Sequence, residues 1–300
     1  MDLNFFKDVR ILDGGTGQEL LSRGLETNGT LWSANALLKD KYHDLLLNTH
    51  LDFIKAGAEV IITATFATRR KRLKDNQIEN KFEYLNQKAG EIAIKAKKNF
   101  SNTLIAGGLP PQNLTYEADN RNEEEITNDF REQANALNPY IDFFYFDVLS
   151  SIKEFKCGIK AIKEFKKPYL IGIHISEGTN LPSGEKISAI RDIIDDQLLG
   201  IMLSCVSPEN FEINLKELKN LNVPFGFKVN AFVTTKPKDG YTSTFTKSNG
   251  NPNEFLGQRE DLTPQKFGEL ARNFHNNGAT IIGGCCETRP SHIEAMANTI

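Results

Sequence analysis

The chain contains little cysteine and no long apolar run. Its 300 residues include four cysteines, too few for a secreted scaffold held together by disulfides. No apolar stretch approaches the ~20 residues that a membrane-spanning helix needs. The opening residues, MDLNFFKD, also lack the charged-then-apolar order of a secretory signal. We therefore expect a cytoplasmic protein that keeps its thiols reduced and has no membrane partner.

The chain also lacks a strong excess of charge of either sign. It carries 36 Lys and Arg against 39 Asp and Glu, a formal net charge of −3. This balance provides no net attraction to nucleic acid or to anionic lipid, so we expect no nucleic-acid partner. Residues 69–72, with the sequence RRKR, form a basic run that is followed by acidic residues. We interpret this run as a solvated loop.

Short β-branched or aromatic runs alternate with amphipathic segments, a pattern typical of strand–helix units and a parallel sheet. The eight strand candidates are 9–12, 59–63, 103–106, 141–147, 169–175, 200–204, 225–229 and 280–282. The helix candidates are 34–56, 77–100, 122–137, 151–165, 186–197, 208–221, 263–277 and 290–299. This alternation predicts an α/β fold, with residues 1–300 forming a single-domain (β/α)8 TIM barrel.

Residues at the ends of several segments support these boundaries. Ser207 and Thr263 each precede a proline, which predicts a capping hydroxyl at a helix start. Gly57 and Gly278 follow predicted helices, where a left-handed residue commonly ends the helix.

Three of the four cysteines follow predicted strands. Cys205 ends the sixth run, and the adjacent Cys285 and Cys286 follow the eighth. The carboxyl ends of barrel strands share one face, and adjacent cysteines can hardly bond to each other without strain, so the thiols predict a metal site there. Three thiolates with one open position are typical of catalytic zinc, although iron also accepts such ligands. Cys157 lies in a predicted helix and is interpreted as a structural residue.

Other interpretations of the three cysteines stay open. They could be small buried apolar residues, or they could form a closed structural site with histidine as the fourth ligand. His174 lies near the end of the fifth strand and could be that ligand, a residue supporting the site, or a core residue. The remaining histidines lie in predicted helices and are expected at the surface: His43, His50, His275 and His292.

Six segments of the chain carry a further pattern. They are LDGGTGQEL at 12–20, LWSA at 31–34, GAEVIITATF at 57–66, GGLPP at 107–111, CVSPE at 205–209 and GATIIGGCC at 278–286. Together they resemble the homocysteine S-methyltransferases, the family that includes betaine–homocysteine and S-methylmethionine–homocysteine enzymes. The resemblance runs nearly end to end, and the last motif with its remote preceding cysteine is the most specific part.

This resemblance implies roles for individual residues. The residues that it assigns to zinc are Cys205, Cys285 and Cys286. Those that it assigns to the homocysteine pocket are Asp13, Gly14, Gly15 and Thr63. It also implies a carboxylate for the substrate ammonium group, and here that residue is Asp147, where the family commonly has glutamate. The aspartate side chain reaches about 1.5 Å less far, one carbon–carbon bond.

The methyl donor is predicted from what the sequence can bind. The glycines of DGGTG do not fit the G-x-G-x-x-G spacing expected of a reader of adenosylmethionine. A small onium donor would be held by aromatic faces, so betaine or a sulfonium analogue is expected first and S-methylmethionine next. The aromatic residues predicted to contact the donor are Trp32 and Tyr145, with Phe66, Tyr116, Tyr241 and Phe245 as further candidates.

The function predicted from the sequence is therefore zinc-dependent methylation of homocysteine to methionine. One alternative is a methyltransferase for another thiol or a selenol, which the aspartate at position 147 makes conceivable. Outside the enzymes, the alternative is a non-catalytic barrel that binds zinc or an amino acid.

Overall fold

The computed structural model describes residues 1–27, 29–237 and 254–300. Within these residues, eight strands form one parallel sheet in the order β1-β8-β7-β6-β5-β4-β3-β2. The strands are β1 Arg10–Ile11, β2 Val60–Ile62, β3 Leu104–Leu109, β4 Phe143–Leu149, β5 Tyr169–Ile173, β6 Leu198–Val206, β7 Phe225–Val229 and β8 Ile281–Gly284. Leu12 bridges to Val60, so the two edges of the sheet meet. The barrel predicted from the sequence is confirmed.

Helices cover the outside of the barrel. In the described part of the chain, the α-helices are α1 Thr16–Ser22, α2 Asn35–Leu38, α3 His43–Lys55, α4 Arg70–Asp75, α5 Phe82–Lys97, α6 Glu123–Leu137, α7 Ile152–Ile162, α8 Pro208–Lys219, α9 Pro264–Asn276 and α10 Pro290–Ala297. None of these helices is long and apolar enough to cross a membrane.

The predicted helix boundaries are confirmed at four positions. The side chain of Ser207 accepts a hydrogen bond from the backbone N–H of Asn210, and Thr263 caps α9 in the same way. Gly57 and Gly278 have φ values of +104° and +98°. Only glycine adopts this conformation without strain, and here it turns the chain from a helix into the next strand.

Two predicted helices differ from the structure. The segment 34–56 is interrupted at Lys39, whose extended backbone (φ −113°, ψ 115°) ends α2 before α3 begins. The segment 186–197 forms only the 3-10 helix Ile187–Asp192. Its buried residues, Ile187 and Ile190, lie three positions apart, and that spacing matches the three-residue turn of a 3-10 helix. The sequence did not predict α1.

The prediction of a solvated loop at residues 69–72 is wrong. Most of this run lies in α4, and Arg69 and Arg72 are only 1% and 8% exposed. Arg69 donates to the Oγ1 atom of Thr115 at 3.0 Å. Only the outer face of the run behaves as a charged surface, where Arg70 pairs with acidic side chains. Because a helix turns its residues to different faces, one basic run serves both the surface and the interior.

Apolar side chains pack in an inner and an outer layer. Phe143 and Tyr145 lie in the cluster that fills the barrel. Phe144 and Phe146 lie in the cluster between the strands and the surrounding helices. The alternation predicted for β4 is confirmed, and it directs Asp147 toward the same side as Tyr145.

Two histidines expected at the surface are buried. His50 in α3 is 0% exposed and His292 in α10 is 7% exposed, so these two predictions are wrong. Both side chains lie on the face of their helix that packs against the rest of the protein. Knowing only that a residue lies in a helix does not show which face it occupies. His43 and His275 are half-buried.

Candidate metal centre and active site

The penultimate residues of β4 and β6 both lie in the left-handed region. Val148 has a φ of +67° and Cys205 a φ of +56°, and the pairing register shifts at each position. Residues with a side chain, and β-branched Val148 above all, rarely adopt this conformation. Such bulges are common next to active sites, where they redirect side chains. Here they accompany Asp147 and Cys205 at the mouth of the barrel.

The thiols of Cys205, Cys285 and Cys286 converge at this face. The sulfur of Cys286 lies 3.6 Å from that of Cys205 and 4.0 Å from that of Cys285, and all three lie within 4.8 Å of one another. A tetrahedral metal with sulfur ligands at about 2.3 Å sets sulfur pairs about 3.8 Å apart. Among the described residues, this is the group of His, Cys, Asp and Glu side chains that could hold a metal ion.

The surroundings favour a thiolate at Cys205. The hydroxyl of Tyr116 lies 2.9 Å from its sulfur, and the amide nitrogen of Asn230 donates to it at 3.6 Å. Burial raises the pKa of Cys205, but hydrogen bonds from Cys285, Cys286 and Tyr116 outweigh burial and lower it well below its usual value. The pKa values of Cys285 and Cys286 are raised, first by their hydrogen bonds to Cys205. Three thiolates this close repel one another, so all three can be ionised only if a cation lies between them. The three sulfurs therefore fit a metal ion that accepts thiolate ligands.

His174 supports this cluster from the side. Its ring stacks on Tyr116 with centroids 4.2 Å apart. One ring nitrogen lies 2.8 Å from Oγ of Ser176 and the other lies 3.3 Å from the carbonyl oxygen of Ser204. Burial lowers the pKa of His174 to about 4, so the ring is neutral at physiological pH. With both nitrogens engaged, His174 holds Tyr116 in place and is not a fourth metal ligand.

The cysteines line a cavity at the mouth of the barrel, where ligand sites of this fold occur. From the strands and their ends, further lining residues are Asp13, Gly14, Gly15, Ile62, Thr63, Asp147, Val148 and Lys228. From the loops and short helices, lining residues include Gln18, Trp32, Phe66, Arg69, Arg72 and Tyr116. The structure thus brings together every residue assigned to the site from the sequence except Tyr145.

The glycine pair after Asp13 permits close packing against the cysteine pair. A Cβ atom on Gly15 would lie 2.6 Å from the carbonyl oxygen of Cys285. The backbone N–H of Gly15 donates to the carbonyl oxygen of Thr288 at 3.0 Å. The turn after β1 and the turn after β8 therefore fit together only because position 15 has no side chain.

Asp13 and Lys228 form a buried ion pair in the cavity wall. The Nζ atom of Lys228 lies 2.8 Å from Oδ1 of Asp13, and the two side chains are 5% and 1% exposed. The Oδ2 atom of Asp13 accepts a hydrogen bond from the backbone N–H of Ile62 at 2.8 Å. Both oxygens of Asp13 are thus bound by groups from two other strands, β7 and β2, which fixes the orientation of the carboxylate.

Asp147 is a second carboxylate in the cavity wall. Burial raises its pKa to about 6, although nearby Lys228 and a hydrogen bond from Tyr145 act in the opposite direction. Tyr145 itself is 0% exposed, and its hydroxyl also bonds to Ser204. Tyr145 therefore lies beneath the cavity and supports Asp147, whereas the sequence assigned it to the donor. The structure places no surface of Tyr145 in the cavity.

Aromatic and polar side chains line the cavity on the loop side. The rings of Trp32 and Phe66 are nearly perpendicular, with centroids 6.2 Å apart. The guanidinium of Arg69 lies 5.5 Å from the centroid of Phe66. Gln18 is 3% exposed, and among the described residues neither its amide group nor the indole nitrogen of Trp32 has a hydrogen-bond partner. Buried polar groups without partners in a cavity wall are suited to a polar ligand.

Sequence reasoning missed several cavity residues: Gln18, Arg69, Arg72 and Lys228. For Lys228 a signal was present. It is the ionisable residue of β7, and Phe225, Phe227 and Val229 belong to the outer cluster. The alternation of a strand therefore directs Lys228 into the barrel. The aromatic candidates Tyr241 and Phe245 lie outside the described residues.

Comparison with known proteins agrees with this geometry. The family model of homocysteine S-methyltransferase matches residues 10–300. Homocysteine S-methyltransferase YbgG of Bacillus subtilis (strain 168) is 25% identical, covering 96% of this chain and 93% of its own. The homocysteine S-methyltransferase of Escherichia coli (strain K12) is also 25% identical, with 97% and 94% covered. A crystal structure of the homocysteine methyltransferase MmuM from Escherichia coli, in its metallated form, has the same fold. It matches with a TM-score of 0.79 at 21% sequence identity, and the match covers 98% of this chain and 96% of that chain. The chain belongs to the homocysteine S-methyltransferase family.

Proposed function

We propose that residues 1–300 act as one domain that transfers a methyl group from a small onium donor to the sulfur of homocysteine, producing methionine with the help of zinc. One observation carries the proposal. Three thiol ligands, two carboxylates and three aromatic side chains line a single cavity at the carboxyl ends of the barrel strands. A metal-activated thiol, an amino-acid headgroup and an onium cation require these three kinds of partner.

The ligands for zinc would be Cys205, Cys285 and Cys286, which leave one coordination position for the substrate sulfur. Zinc lowers the pKa of a bound thiol from its usual value of about 8.5 and so supplies a thiolate nucleophile at neutral pH. Asn230 donates a hydrogen bond to the sulfur of Cys205, and the hydroxyl of Tyr116 is hydrogen-bonded to the same sulfur, so both hold this ligand in orientation. The metallated form of the Escherichia coli relative supports a metal at the corresponding site.

The amino-acid part of homocysteine would bind at the strand ends. Asp147 offers a carboxylate to the substrate ammonium group, and Asp13, Gly14, Gly15 and Thr63 form the neighbouring wall. The hydroxyl of Thr63 is held by the backbone N–H of Gly108 at 3.0 Å. These groups fix one end of the substrate while its sulfur lies at the cysteines.

The loop side of the cavity would bind the donor. The faces of Trp32 and Phe66 suit the positive nitrogen or sulfur of an onium group. Arg69 and the amide of Gln18 line the same cavity and suit a carboxylate. This combination favours a donor that carries both charges, and betaine or a sulfonium analogue of betaine is the first choice.

The reaction is a direct displacement. A bond forms between the homocysteine sulfur and the methyl carbon, while the bond from that carbon to the donor nitrogen or sulfur breaks. The leaving atom keeps the electron pair and loses its positive charge, and the thiol proton passes to solvent. The enzyme contributes by holding the sulfur and the methyl carbon in line within one largely enclosed cavity.

The deciding experiment measures methionine formation from homocysteine with betaine, its dimethylsulfonium analogue, S-methylmethionine and adenosylmethionine in parallel. The protein is analysed for metal, and the Cys285→Ser variant serves as the control. We expect turnover with betaine or the sulfonium analogue and none in the variant. Absence of turnover with every donor, despite one metal per chain, would overturn the homocysteine function.

A further inference from the structure

Lys228 is a buried cation in the wall of the cavity. Its side chain is 5% exposed and it lines the cavity together with Asp13, Asp147 and Cys285. Gly283, its pairing partner on β8, leaves room for it, because a Cβ atom there would lie 3.3 Å from Cγ of Lys228. The chain is thus built to hold a lysine at this position in the barrel.

The ammonium group of Lys228 has unused hydrogen-bonding capacity. A lysine ammonium has three donors, and within the described residues Lys228 makes one hydrogen bond, to Oδ1 of Asp13. The other titratable groups that face it are Asp147 and Cys285, which act at longer range. Two donors in an almost dry environment therefore remain for a group that enters the cavity.

Stability alone does not explain this lysine. Taking an ammonium group out of water is unfavourable, and pairing with a carboxylate often fails to recover that cost. Side chains inside the barrel on the two strands beside β7, such as Met202 and Ile281, are apolar. Asp13 is already fixed through Ile62. A buried cation with spare donors is better explained by an anionic ligand.

We propose that Lys228 binds the carboxylate of the amino-acid thiol. The inference rests on the proposed function, because it assigns the third point of contact for the same substrate. The sulfur lies at the three cysteines, the ammonium group at Asp147 and the carboxylate at Lys228. These contacts select an α-amino acid over a simple aminothiol. Lys228 also offsets the negative charge of Asp13 and Asp147, which would otherwise repel an anionic substrate.

The test compares homocysteine with 3-aminopropane-1-thiol, the same molecule without its carboxylate. Binding to the metal-loaded protein is measured by titration calorimetry, and it does not require turnover. The wild-type protein should bind homocysteine roughly 10- to 100-fold more tightly, the value of a charge-assisted hydrogen bond. The Lys228→Met variant should lose most of this preference while keeping its affinity for the aminothiol. Lys228→Arg should restore part of it.

Lys167→Met is the matched control. Lys167 is a half-buried lysine at the start of β5 that donates to the carbonyl oxygens of Asn138 and Ile141, away from the cavity. The control should keep the preference for homocysteine. Metal content and thermal unfolding of each variant show whether it is folded.

Three results would count against the inference. Equal binding of both thiols to the wild-type protein would overturn it without any variant. If Lys228→Met loses the same factor of affinity for both thiols, then Lys228 acts only by holding Asp13 in place. Neither result touches the proposed function. In contrast, failure of the wild-type protein to bind either thiol would overturn the homocysteine function and this inference together.

Discussion

The hydroxyl of Tyr116 lies 2.9 Å from the sulfur of Cys205. Tyr116 also stacks on His174, so the hydroxyl cannot easily turn away. A positioned donor at this distance stabilises the thiolate over the thiol. The geometry of the candidate metal centre therefore depends on the loop after β3 as well as on the three cysteines.

The Tyr116→Phe variant should weaken metal binding. Loss of a hydrogen bond to a metal ligand typically lowers metal affinity on the order of tenfold or more. The measurement is competition for zinc against a chromophoric chelator at fixed pH. Tyr84→Phe, on an exposed part of α5, is the control and should behave as the wild type. An unchanged zinc affinity in Tyr116→Phe would show that the hydroxyl contributes nothing to the ligand.

Cys205→Ser should abolish stoichiometric metal binding. A serine hydroxyl is a much poorer zinc ligand than a thiolate, and the two remaining thiols lie together on one turn. Metal analysis should fall from about one zinc per chain to near zero. Cys157→Ser is the matched control, because that thiol is buried in α7 against the carbonyl oxygen of Glu123. Equal metal loss in both variants would point to general unfolding.

Asp147→Asn should weaken homocysteine binding and change its dependence on pH. The pKa of Asp147 is about 6, so the carboxylate is charged at pH 8 and mostly protonated at pH 5. We expect an affinity loss on the order of 10- to 100-fold in the variant at pH 8. In the wild type, part of the affinity should disappear between pH 7 and pH 5. A variant with the same pH profile as the wild type would exclude Asp147 as the ammonium partner.

The same carboxylate should lower the stability of the protein without substrate. The folded Asp147 keeps its proton up to about pH 6, whereas the unfolded residue loses it near its usual value of 3.8. Between these values the folded state binds more protons, so the free energy of unfolding falls as pH rises, by about 3 kcal/mol in total. Asp147→Asn should therefore be the more stable protein at pH 8, measured by denaturant titration, and should lose that advantage near pH 4.

The sequence predicted the barrel because its strands and helices alternate with clear boundaries. It also predicted that the three cysteines converge, because parallel strands bring their carboxyl ends to one face whatever the details of packing. Cys205 and Cys286 are 81 positions apart in sequence yet 3.6 Å apart in space for this reason. The glycine motif at Gly15 also indicated a close approach of two backbone segments. In the structure, only a residue without a side chain fits at this position against Cys285.

Other features depend on how side chains pack, which a single sequence reveals poorly. Tyr145 and Asp147 face the same side of β4, but only the packing shows that Tyr145 ends below the cavity. His50 lies in α3, whose sequence mixes polar and apolar residues, yet its ring is fully buried. Arg69 belongs to a run of basic residues, and the composition of that run gave no sign that it lines a cavity.

Arg69→Gln should weaken binding of the donor and leave binding of homocysteine unchanged. Arg69 is 1% exposed and donates to the carbonyl oxygen of Phe66 at 3.2 Å, so its guanidinium is held beside the aromatic wall. With betaine as donor, loss of a charged partner for the carboxylate should raise the donor KM roughly tenfold or more. Choline, which carries no carboxylate, should bind the variant and the wild type equally.

Arg70→Gln separates this effect from a general loss of positive charge. Arg70 is the neighbouring residue, but its guanidinium pairs with Glu79 and Glu132 on the surface and does not line the cavity. The net charge changes by the same amount in both variants. A donor KM raised only in Arg69→Gln therefore locates the effect at the cavity wall, whereas an equal rise in both would show that the donor responds to the overall field of the protein.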